Sequence, residues 1–172
     1  MATAAAFLTN VGAAWDAEVY GALSDASRLA AAVKDRANSV RIAFGLRKVN
    51  AQLNDLFRNI QRDVDAAETG KASNKAGSDE TITSQRLHEA AADVDHLARM
   101  LDSLHENARR ARLTNNSLMA GSLRGIFKHI DQLHDLADWF ETAAQMDEVN
   151  AIFARAKEEK ERGETYDLSQ VS

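Results

Sequence analysis

Not one proline interrupts the 172 residues of this chain. At ordinary usage of about 5%, roughly eight would be expected. Each would break a helix where it fell, by removing a backbone N–H and by clashing with the preceding turn. Without them helices can run to any length. Good helix formers such as alanine, leucine, arginine and glutamate dominate, whereas aromatic residues make up 6% and runs of β-branched residues, the material of strands, are missing. The pattern predicts an all-α fold: an elongated antiparallel helical bundle of four to five helices with coiled-coil-like packing and a long N-terminal helical arm.

Apolar residues recur at steps of three and four in a first stripe, Leu8, Val11, Trp15, Val19, Ala22, Ala26, Leu29, Val33, Ala37, Val40 and Phe44. At about 100° per residue they hold to one face. This predicts one amphipathic helix over residues 5–44, or two broken near Ser24-Asp25, where either residue could cap. A second stripe, Leu46, Val49, Leu53, Leu56, Ile60, Val64 and Ala67, falls on the opposite side of the same wheel. The face switches at Gly45, where glycine costs about 1 kcal/mol relative to alanine in a helix interior, so a turn, a kink or a straight junction is expected there.

Residues 69–80 carry two glycines and no apolar period, the mark of a loop. Helix is expected to resume near Thr81 to Thr83 and to carry the heptad-like series Leu87, Ala90, Val94, Leu97, Leu101, Leu104, Ala108 and Ala111. Thr114-Asn115-Asn116-Ser117 reads as a turn followed by an N-cap. The last helix holds Leu123, Ile126, Ile130, Leu133, Ala137, Phe140 and Ala144, then shifts phase into Val149, Ile152, Phe153 and Ala156, and Gly163 suits its C-terminal cap. One domain over residues 1–162 is expected, an arm (5–44) and a bundle (46–162), with a flexible tail over 163–172.

With no cysteine present, disulfides, thiolate nucleophiles and cysteine-based metal sites are excluded. The N-terminal residues lack the basic segment of a secretory leader, and Asp16 and Glu18 arrive early. A cytoplasmic protein is expected, with leaderless export as the alternative. No stretch approaches the roughly 18 apolar residues of a membrane span. Phosphate loops and nucleophile elbows are absent from the sequence. The expectation is therefore a non-enzymatic protein with no cofactor, acting by protein–protein interaction.

The first stripe is the expected interface. If residues 46–162 close a core by themselves, the opposed residues Leu8, Val11, Trp15, Val19, Leu29, Val33, Val40 and Phe44 need a partner, either another copy or another helical protein. Charge offers an alternative. Residues 26–62 hold eight basic side chains against two acidic, a formal +6, and Arg47, Lys48, Arg58 and Arg62 lie opposite the second stripe, as a nucleic-acid or anionic surface would require. The overall charge of −5 argues against nucleic acid. A third pattern is metal-like: Asp93-x-x-His96, Asp102-x-x-His105 and Asp131-x-x-His134 each place carboxylate and imidazole on one helix face. Folding the last two helices together sets His96 level with His134, one turn from Asp138, although boundary hydrogen bonding accounts for the same pattern.

Overall fold

The computed structural model describes residues 3–68 and 84–163. The loop expected over 69–80, the helix start expected at Thr81 to Thr83 and the tail beyond Gly163 lie outside the described residues. Four helices fill the rest: α1 (Thr3–Lys34), α2 (Ser39–Glu68), α3 (Ser84–Arg110) and α4 (Ala120–Glu161), with a 3₁₀ turn at Leu113–Asn115. The protein is an all-α helical bundle, and no strand occurs among the described residues.

The first chain reversal falls at residues 35–38, not at Gly45 or Ser24-Asp25. Ala37 N–H donates to the Ala32 carbonyl at 2.9 Å and Arg36 N–H to that of Val33 at 3.1 Å, the paired bonds that close a helix through a left-handed residue. That residue is Arg36, with φ of 56°. Asn38 then caps α2, its Oδ1 accepting from Val40 N–H at 2.8 Å. The second reversal repeats the device: Arg112 has φ of 60°, and Asn116 Oδ1 accepts from Leu118 N–H at 2.9 Å. Gly45 sits inside α2 as ordinary helix. What its missing side chain provides is room, since a Cβ there would stand 2.6 Å from Leu29 Cδ1 of α1.

Because α1 folds back on α2, two apolar faces that would diverge along a straight helix meet in one core. Leu8, Trp15, Val19, Leu29 and Val33 of the first stripe are buried, together with Leu46, Val49, Leu53 and Leu56 of the second. This corrects the expectation that the first stripe needs an outside partner: the bundle covers it from residue 8 to 33. Only Val40 and Phe44, beyond the reversal, stay exposed, at 61% and 66%.

The order around the bundle follows from its cross-helix contacts. Arg86 meets Asp16, Tyr20 meets Asp93 and Asn107 Nδ2 donates to the Ala30 carbonyl. Residue numbers rise together in these pairs, so α1 and α3 lie parallel. On the other side Phe57 stacks on His129 and Asn50 abuts Gly125, so α2 and α4 are also parallel. Each parallel pair is joined by antiparallel packing, α1 on α2 and α3 on α4. Phe7, Trp15, Trp139 and Phe140 close one end, with ring centroids 5.2–6.2 Å apart.

Candidate interaction surface

At 42 residues, α4 is the longest helix. Its bundle-facing stripe runs Leu123, Ile126, Ile130, Leu133, Ala137, Phe140 and Ala144. Ala144 is the last buried residue, and every position from 145 to 158 is exposed. An α4 extension thus continues for about four turns with no core beneath it.

The extension is nonetheless amphipathic. Met146, Val149, Ile152 and Phe153 are exposed at 57%, 44%, 63% and 69%. From Ala144 to Met146 the direction turns by about 200°, so the apolar face leaves the bundle side and points outward. Traced backwards, the outward face keeps alternating steps of three and four through Trp139, Thr142, Met146, Val149, Phe153 and Ala156. Such spacing is a heptad seam. Its half-buried first member, Trp139, lines an open furrow of ≈ 370 Å³ with Phe57, Ile60 and Val64 of α2 and Leu136 of α4. Seam and furrow form one continuous apolar strip.

His88 of α3 steadies the start of the extension. Its Nδ1 lies 2.9 Å from Glu141 Oε2 and its Nε2 lies 2.7 Å from Glu148 Oε1. Both ring nitrogens can donate only in the imidazolium, and these hydrogen bonds, to Glu141 first and Glu148 second, raise the histidine pKa. His129 behaves oppositely. It is 6% exposed, stacked on Phe57 at 5.3 Å, with Nδ1 2.8 Å from Gln132 Oε1, and burial pushes its pKa down.

The other sequence-derived sites are dispersed. Arg47, Lys48, Arg58 and Arg62 all face outward as expected, but Lys48 pairs with Asp25 at 3.5 Å, Arg58 with Asp55 at 3.7 Å and Arg62 with Asp63 at 3.3 Å. Val11 is half-buried against the core. His96 and His134 lie level as anticipated, yet it is Asp95 that faces α4, its Oδ1 3.6 Å from His134 Nδ1. One residue on, about 100° further round, exposed His96 shares α3's outer surface with Asp93, Arg99 and Met100. Asp138 is exposed on α4. No three histidine, aspartate or glutamate side chains converge as metal ligands among the described residues.

The phase shift after Ala144 is visible in the sequence, but a period alone does not say that the shifted face is a surface. The signal was the outward turn of the face at Met146. Comparisons of the chain with protein-family models, with curated proteins and with solved structures return no match.

Proposed function

We propose that this protein is a non-enzymatic interaction subunit that takes another helix along the outward seam of α4. The observation that carries the reading is the exposure of Met146, Val149, Ile152 and Phe153 on a helix that has left its own core. Short helices hold together in water chiefly through packing of an apolar face, and large side chains gathered in one exposed strip mark interaction surfaces. In place of the interface expected over Leu8 to Phe44, whose members from Leu8 to Val33 pack into the bundle, the proposed one runs over residues 139–156. No described helix is long and apolar enough to cross a membrane.

Native isolation from the host, followed by mass measurement of the intact complex, tests this. Wild type should carry a stoichiometric protein partner, and Val149→Ser/Phe153→Ser should lose it while still folding with the helicity and melting temperature of the dissociated wild-type chain. An unchanged complex in the double variant, or a bare wild-type monomer, would overturn the reading.

A further inference from the structure

The partner helix can be named from the seam itself. Resting on the reading above, we infer that it is α4 of a second copy, paired antiparallel about a two-fold axis between Asp147 and Glu148.

In an antiparallel pair of heptad seams, each position of one kind faces the other kind on the opposite helix. Laying the whole seam on itself fixes the register: Trp139 faces Ala156 of the second copy, Thr142 faces Phe153, and Met146 faces Val149. The largest side chain meets the smallest, and a ring meets a small β-branched residue, so the layers interdigitate. At both ends Asp135 faces Lys160 of the other copy, closing the apolar run with opposite charges. A parallel pairing would instead stack Trp139 on Trp139, Phe153 on Phe153 and Lys160 on Lys160, which leaves bulges, gaps and like charges together. Asp138 and Glu159 do meet on one flank of the antiparallel pair, at its rim, where salt screens them.

The furrow supports the same register. Asp135 and Trp139 line it together with Phe57, Ile60 and Val64, and this is where Ala156 and the aliphatic stem of Lys160 from the second copy arrive. Each copy's extension thus lies against the other's furrow, and the contact is isologous. The four exposed side chains present on the order of 400 Å² of apolar surface per copy, so two copies with their furrow walls reach the roughly 1,000 Å² that a specific interface needs.

Purified full-length chain decides the matter. Light scattering at tens of micromolar should give about twice the 18.8 kDa chain mass, and Val149→Ser/Phe153→Ser should give a monomer of unchanged helicity. The chain has no cysteine, so single thiols report geometry. Met146→Cys should cross-link to its own kind through a short bis-maleimide. Ala156→Cys should not, because antiparallel pairing holds the two thiols ~25 Å apart. Lys160→Asp should weaken the dimer about five-fold, with recovery in Asp135→Lys/Lys160→Asp.

A wild-type monomer overturns the inference, and if the native complex then holds a different protein, the broader reading survives it. Equal cross-linking of Met146→Cys and Ala156→Cys would overturn the antiparallel register.

Discussion

Gly125 of α4 rests against Asn50 of α2 so closely that a Cβ at position 125 would stand 2.6 Å from Asn50 Nδ2 and 3.1 Å from Cγ. Asn50 Oδ1 is buried, so the amide is enclosed between α2 and α4 and must be displaced if a methyl group is added at position 125. Helix propensity alone would favour alanine at 125 by about 1 kcal/mol. We predict the opposite sign: overpacking between α2 and α4 should make Gly125→Ala destabilising by about 1–2 kcal/mol. Adding Asn50→Ala should recover much of the loss, which urea unfolding of the double-mutant cycle would reveal as coupling.

Trp15 offers a direct check on where the first stripe lies. It is 2% exposed and packs edge-on to Phe7, with centroids 5.3 Å apart. Trp15→Ala should cost about 3–5 kcal/mol of folding stability, as for other buried aromatics. An interface residue would instead change association and leave the melting temperature of the monomer intact.

Arg36 carries a backbone cost, since a left-handed conformation is disfavoured by roughly 1–2 kcal/mol for residues with a Cβ. Its side chain makes no ion pair among those described. Arg36→Gly should therefore stabilise the α1–α2 hairpin by about 1 kcal/mol, visible as a higher urea midpoint at unchanged slope.

The two perturbed histidines predict opposite pH limbs around the ordinary value of about 6.5. For His88 the folded pKa is raised, so its stabilising effect is complete below about 6.5 and is lost as pH climbs through the folded value. His129 has a lowered pKa, so the fold binds fewer protons than the unfolded chain and loses stability as pH falls below about 6.5. In melting curves against pH, His88→Gln should flatten the alkaline limb and His129→Phe the acid one. A limb that persists in its own variant would refute that assignment.

Helix existence was legible because periodicity and the absence of proline both act locally. The hairpin of α3 and α4, with its break at 114–117, could be read from residues that favour turns and caps. The α1–α2 reversal is hidden, because apolar steps of three and four run unbroken past it through Val33, Ala37, Val40 and Phe44 and outweigh the single cap residue Asn38. That one hidden turn reversed the assignment of inside and outside for Leu8 to Val33. Conversely Val149 and Phe153 showed a clear helical period, but a period states only that a face is apolar. Whether the bundle reaches far enough to cover it depends on the lengths of its neighbours, and α4 outruns the core at Ala144.

If the seam from Trp139 to Ala156 is covered in the working protein, amide hydrogen exchange of residues 145–161 must depend on protein concentration. Exchange should be slow in the assembled protein and become fast on dilution, and it should be fast at every concentration in Val149→Ser/Phe153→Ser. Exchange in the assembled wild type as rapid as in the double variant, or protection that survives both substitutions, would contradict it.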